Sequence, residues 1–295
     1  MGNVAGDTNY LSSGLVEQIE AEAIMAFSDS GVISNLVRSS LQQSADQISF
    51  QVVNRGTNKI NSADVSAVTD GTEISASIIN TDKKTITLAP YAVRTDVYDD
   101  AKYSNISDQA GFVGPILGNA AAAYLDKTLG ELFADFNTGN DVGTSSVGLT
   151  VDNLYLGLAN LRAQRAPGMP VGVFHPKQVV GTYGLLNDLV TSTQFGGSPD
   201  LQNEGLKEAY VDRIAGIDIF QSLEVELHDT SYAYGGIFVK DAMAWGSKDF
   251  GNGQPFWVEM ERDASYQRDK WLAHMFFGVV ELDDYYGCQV DTRIA

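Results

Sequence analysis

One run, Ser107 to Asn137 (SDQAGFVGPILGNAAAAYLDKTLGELFADFN), limits what this chain can become. Leu117, Ala121, Tyr124, Leu125, Leu129, Leu132, Phe133 and Phe136 recur at spacings of three and four, which draws one apolar stripe along an α-helix. At about 1.5 Å of rise per residue the run would span roughly 45 Å, well beyond the three turns of an ordinary globular helix. A stripe of that length has to be covered, and the rest of the chain must supply the cover. Ser107 caps the start, the Asp108 carboxylate falls in the favourable first turn, and Gly139 follows the end. Gly111, Gly114 and Pro115 sit near the front, where the missing Pro115 donor predicts a kink or a late start. The expected buried core of this helix is Leu125, Leu129, Leu132, Phe133 and Phe136.

The chain has 295 residues, 44% of them hydrophobic, enough for one large core or two modest ones. No apolar stretch reaches the roughly 18 residues of a membrane span, and the first residues lack the basic and apolar blocks of a signal peptide. Cytosolic synthesis and no membrane partner are expected. The single cysteine, Cys288, excludes an internal disulfide and a cysteine zinc site, and it reads as a small buried hydrophobe. Acidic residues number 38 against 19 basic ones, a formal charge of −19. That argues against sequence-reading of nucleic acid, which needs a basic patch to neutralise phosphates.

Residues 1–14 are polar and without period, so a loose arm is expected. Leu15, Ile19, Ala23 or Glu22, and Phe27, with Val16, Ile24 and Met25 beside them, then form an amphipathic helix of about three turns ending near Ser30 and Gly31. A second apolar segment, VISNLVRSSL, follows. From Gln47 the period changes to two, with Ile48, Phe50 and Val52 on one face, and a partner strand begins at Thr85. The polar stretch between them cannot bury a core of its own and reads as a long projecting β-hairpin with Asp70–Gly71 as a turn. A projection of this kind usually exists to touch another molecule.

After the long helix, Thr150 introduces a second amphipathic helix with Leu154, Leu158 and Leu161, closed by Pro167–Gly168. The texture then becomes α/β: a strand at Val171–Phe174, a turn at His175–Pro176, a short helix over KQVVGTYGLLNDLV, and strands within RIAGIDIFQSLEVE and GGIFVKDAMAWG. The last part alternates through Phe256, Val258 and Met260, then Trp271, Ala273, Met275, Phe277 and Val279. These are two long antiparallel strands able to pack along the long helix.

No catalytic constellation is present. His175, His228 and His274 are isolated, with no zinc-ligand spacing, and no nucleophile elbow or phosphate loop occurs. Asp99–Asp100 and Asp283–Asp284 read as solvated strand ends, and Gly235–Gly236 as a turn. No cofactor and no enzymatic activity are expected.

The order of these parts, with TITLAPYAVRTDVYDDA, VGVFHPKQVV, RIAGIDIFQSLEV, GGIFVKDAMAWG and FGVVELDDYYGCQVDTRI in sequence, resembles the major capsid proteins of tailed bacteriophages, the Hong Kong 97-like coat fold. The resemblance covers nearly the whole chain. It implies an α+β subunit with an N-terminal arm (1–46), an extended loop (47–92), a peripheral domain (93–168 and 254–295) carrying a spine helix over about 107–137, and an axial domain (169–253). It further implies hexamers and pentamers closing into an icosahedral head around double-stranded DNA bound without sequence specificity. A scaffolding protein, a portal and in some relatives a decoration protein assist, with assembly in the host bacterial cytoplasm. Contacts between copies are expected at Leu15, Ile19 and Phe27 of the arm helix and at Ile60, Val65, Val68, Ile74 and Ile78 of the hairpin. Lys59, Lys83 and Lys84 are assigned no crosslink. The alternative within the same fold is an encapsulin-like nanocompartment shell enclosing a cargo enzyme; from another class, an α/β enzyme.

Overall fold

The computed structural model describes residues 8–42, 46–53, 68, 70–71, 81–104, 110–191, 213–214, 216–228, 230–250 and 255–295. The helices are α1 (Thr8–Ser30), α2 (Ile33–Leu36), α3 (Asp99–Ser104), α4 (Ala110–Glu131), α5 (Val151–Ala163), α6 (Pro176–Val180) and α7 (Leu185–Thr191). The strands are β1 (Arg38–Gln42), β2 (Gln47–Val53), β3 (Thr81–Thr87), β4 (Ala89–Tyr98), β5 (Val142–Thr144), β6 (Val171–Phe174) and β7 (Arg213–Ile214). They continue as β8 (Ile217–Gln221), β9 (Leu227–His228), β10 (Tyr232–Phe238), β11 (Met243–Lys248), β12 (Phe256–Asp263), β13 (Arg268–Glu281) and β14 (Gly287–Arg293).

The first body is a sheet ordered β1-β11-β13-β12, with β4 also on β13, covered on one face by α1 and α4. Alternation along β13 places Trp271, Ala273, Met275 and Phe277 against the helices, as the period of two requires. Leu125, Leu129, Phe133 and Phe136 are buried in that core, and Leu132 packs partly buried against it. Tyr124, expected on the buried stripe, is exposed and rests on Tyr91 and Phe277 at ring distances of 5.1 and 6.0 Å.

The helix ends differ from expectation. It continues through Pro115 from Ala110 and stops at Glu131, after which Leu132–Asp135 tightens into a 3₁₀ turn. The tighter turn has three residues per revolution, so Phe133 and Phe136 fall on one side and stack at 6.1 Å. The Ser107 and Asp108 cap lies outside the described residues.

The arm is the larger correction. α1 spans 23 residues from Thr8, not three turns from Leu15. Ile19 is fully buried against the long helix, Leu15 packs on the same core, and Phe27 lies 6.2 Å from the Phe256 ring. Those three residues contact their own chain. Two glycines permit it: a Cβ on Gly114 would stand 2.8 Å from the Ile19 carbonyl oxygen, and one on Gly118 2.2 Å from that of Ala23. Helix backbones approach this closely only over residues without side chains.

The second body is a sheet ordered β5-β14-β10-β6-β8-β7, with β9 on β10, packed against α5. Its core joins Leu154, Leu158, Leu161, Phe174, Ile237, Cys288 and Val290. β5, α5 and β14 pack with the α/β lobe, and β11 pairs with β13 in the sheet under the long helix. The final strand changes sheets through the turn Asp284–Tyr286, where the Asp283 carboxylate accepts from the Tyr285 amide at 3.0 Å. Asp283 is accordingly buried rather than solvated, and Asp99 opens a helix and pairs with Arg262.

Gly235 and Gly236 lie inside β10, not in a turn. A Cβ on Gly235 would meet the Phe174 ring at 2.4 Å and one on Gly236 the Phe133 ring at 2.8 Å. Each face of the strand is covered by a phenylalanine ring, one from each core.

The hairpin base forms as expected: β2 and β3 pair antiparallel from Gln47↔Thr87 to Val53↔Thr81. Gly71 adopts φ +87°, the left-handed conformation of the expected Asp70–Gly71 turn. Ile60, Val65, Ile74 and Ile78 lie outside the described residues, and Val68 is 66% exposed.

Candidate assembly surface

Among the described residues, the three histidines and Cys288 each make structural contacts. His175 caps α6: its Nδ1 accepts from the Lys177 amide at 3.1 Å, while its own amide donates to Gln178 Oε1 at 2.9 Å. Burial, with Lys177 beside it, holds the imidazole below the usual histidine range. Gln178 in turn donates to the Ala233 carbonyl and to Thr292 Oγ1, pinning α6 to β10 and β14. His274 lies 3.2 Å from Glu259 and stacks on Trp257, and His228 packs on Tyr232 and Tyr234. Burial pushes the Cys288 thiol up to about 12, so it is a donor to the Asn140 carbonyl rather than a nucleophile. Among the described residues no group of three histidine, cysteine or acidic side chains could hold a metal ion.

On the sheet face away from the helices, Leu272, His274 and Phe276 alternate outward from β13. Phe250, Trp257, His274 and Phe276 form a ring cluster there with neighbouring centroids 5.3 to 6.0 Å apart. Toward the far end of the same strands the face becomes ionic. Arg268 bridges Asp96 at 2.6 Å and Asp263 at 3.2 Å, and Lys270 reaches Asp263 at 3.0 Å. The hydrogen bond from Arg94 holds the Asp96 carboxyl below its ordinary value. Cross-strand charge pairs of this kind fix register more than they add stability.

On the helical side, Met25, Phe112 and Ile116 are 68, 59 and 55% exposed, and a shallow groove of about 730 Å³ runs between Glu22, Met25, Asp29 and Pro115. The lobe presents Tyr155, Leu156 and Leu223 to solvent.

Of the expected contact residues, Val68 is exposed beside the Asp70–Gly71 turn, Ile19 is in the subunit's own core, and Leu15 and Phe27 pack partly buried against that core. The long-helix residues come together as expected. Sequence reasoning missed Asp126, a buried carboxylate that accepts from the amides of Val32, Ile33 and Ser34 at 2.6, 3.1 and 2.8 Å. Its signal was legible: it is the first charge after a long uncharged stretch, and it adjoins the stripe residue Leu125.

No family model matches the sequence, and no curated protein matches it. Solved structures do match. The capsid structure of the cyanophage P-SCSP1u is 15% identical, with 90% of this chain and 89% of that one covered at a TM-score of 0.62. The mature capsid of bacteriophage PhiM1 is 11% identical over 89% and 87% of the two chains, TM-score 0.60. The holo-SrpI encapsulin complex from Synechococcus elongatus PCC 7942 is 13% identical over 89% and 88%, TM-score 0.60. The two bodies and the paired ribbon therefore make up the α+β fold found in phage capsid and encapsulin structures.

Proposed function

We propose that this chain is a major capsid protein of Hong Kong 97-like architecture, copies of which close into the icosahedral head of a tailed bacteriophage. The observation that carries the reading is the correspondence with phage capsid chains along nearly the full length of both partners. In this reading the body with α4 is the peripheral domain and the α/β lobe is the axial one, converging with its copies as hexamers and pentamers. The ribbon and the loop beyond it, with Ile60, Val65, Val68, Ile74 and Ile78, reach a neighbouring copy. Shell closure then comes from repeated heterologous contacts, each modest and all symmetric.

A net charge of −19 suits a wall that lets packaged double-stranded DNA slide instead of adhering. A scaffolding protein and a portal complete the assembly in the bacterial cytoplasm, with a decoration protein as an optional addition. The product is the virion capsid, and the chain's role in it is structural, not enzymatic.

The second reading is an encapsulin-like shell, favoured by the likeness to the encapsulin complex and by the groove beside α1. Electron microscopy of particles from producing cells, with analysis of their contents, separates the two. Double-stranded DNA inside closed shells supports the head; a protein cargo without DNA supports the compartment; absence of shells overturns both.

A further inference from the structure

The β2–β3 ribbon reaches the rest of the chain through a footing of its own. Ile48 and Ile86, directly paired across the ribbon, are both buried and form with Ala244 and Leu282 a hydrophobic cluster separate from the two larger cores. Beneath them lie Gly246 and Gly278, directly paired across β11 and β13. Paired residues of an antiparallel ladder point to the same face, so the two glycines open one side-chain-free notch. A Cβ on Gly246 would stand 2.7 Å from Ile48 Cδ1. One on Gly278 would stand 2.5 Å from Ile86 Cγ2 and 2.4 Å from the Thr87 carbonyl oxygen. A pair of isoleucines is seated on a pair of glycines.

We propose that the Gly246–Gly278 notch is a keyed seat that sets the direction in which the ribbon leaves the subunit, and thereby the angle between neighbouring copies and the shell's curvature. The inference rests on the capsid reading and adds the residues that position its projecting element. Carbon atoms pack best at about 3.5–4.0 Å, so a methyl group at Gly246 would push the Ile48 Cδ1 methyl aside by roughly 1 Å. A methyl group at Gly278 would meet the Thr87 carbonyl oxygen, part of the ribbon's own backbone, which has to move with it. A displacement at the foot of a ribbon grows along its length, at about 3.3 Å of strand per residue. Because the footing is separate from both main cores, the same methyl group leaves α4 and its sheet folded.

The test compares shell diameters by electron microscopy, with thermal melting and amide exchange of α4 as controls for folding. Gly246→Ala is expected to keep the wild-type exchange pattern in α4 but to give shells of shifted or broadened diameter, or open sheets. Ile48→Val alone removes Cδ1, leaves a methyl-sized gap and also broadens the distribution. The two together refill the seat and restore uniform shells. Gly278→Ala, whose Cβ meets the Thr87 backbone, is not rescued by Ile48→Val. Wild-type diameters from both single variants, or failure of the double variant to restore them, overturn the proposal while leaving the capsid reading intact. Absence of shells from the wild-type chain removes both. Should Gly246→Ala fail to fold, Ile48→Val decides: uniform wild-type shells from it contradict the seat.

Discussion

The Ser34 amide donates to the Asp126 carboxylate at 2.8 Å across 92 positions of sequence, and this bond fastens the arm to the long helix. Val32 and Ile33 donate to the same carboxylate, so it satisfies amides that the first turn of α2 cannot pair internally. The carbonyl of Ser34 in turn accepts from Trp245 Nε1 at 3.1 Å, which extends the tether to β11. Replacing Asp126 with Asn keeps the shape but loses the charge on the acceptor and aims an NH₂ group at the amides. A loss of about 2–4 kcal/mol is expected. Urea unfolding measures it, and the emission of Trp245 should shift to the red before global unfolding. An unchanged midpoint would show that the tether is dispensable.

Gly118→Val tests the arm itself. Its side chain would collide with the Ala23 carbonyl, a backbone atom that cannot turn aside. Overpacking of this kind costs about 1–3 kcal/mol or more, and α1 is expected to lift away while the two sheets remain. Amide exchange should rise throughout α1 and stay slow in β13.

Leu129→Asp places an unpaired charge at a fully buried position of α4. The whole first body shares that core, so the variant is expected to be insoluble or unfolded. Retained helical circular dichroism and solubility would show that the wrong face of the helix had been taken as the core.

Glu281 gives the chain a pH dependence of definite sign. Burial, with Asp284 beside it, pushes its carboxyl up to about 8 from an ordinary value of 4.5, and Asp135 adds to the rise while Lys84 opposes it. The native state therefore holds a proton that the unfolded chain has released between about 4.5 and about 8. Its stabilising contribution is complete below the lower value and is lost as pH rises through the upper one. Glu281→Gln should flatten this decline and be the more stable form at pH above about 8. A parallel decline in both proteins would place the titration elsewhere.

The parts legible in the sequence are those where one period rules. The alternation from Trp271 to Val279 and the Ile48, Phe50 and Val52 face of β2 follow from a period of two, and the Leu125–Leu129 face from a period of 3.6. Close approach without side chains was not legible. Gly114, beside Pro115, read as the mark of a kink or late start, yet with Gly118 it is the landing site of α1. Gly235 and Gly236 read as a turn, yet each admits a phenylalanine ring. A glycine states only that nothing is there; what fills the space comes from elsewhere in the chain. The change of sheet at Asp284–Tyr286 was hidden because alternation resumes after it with the same kinds of residue.

Whether copies of this chain assemble with one another is read from sedimentation of the purified 295-residue chain over a wide range of concentration. Fast-sedimenting closed particles containing many copies, in exchange with small oligomers, are expected. A single species of 31.8 kDa at every concentration, even with a co-expressed scaffolding protein, would contradict that expectation.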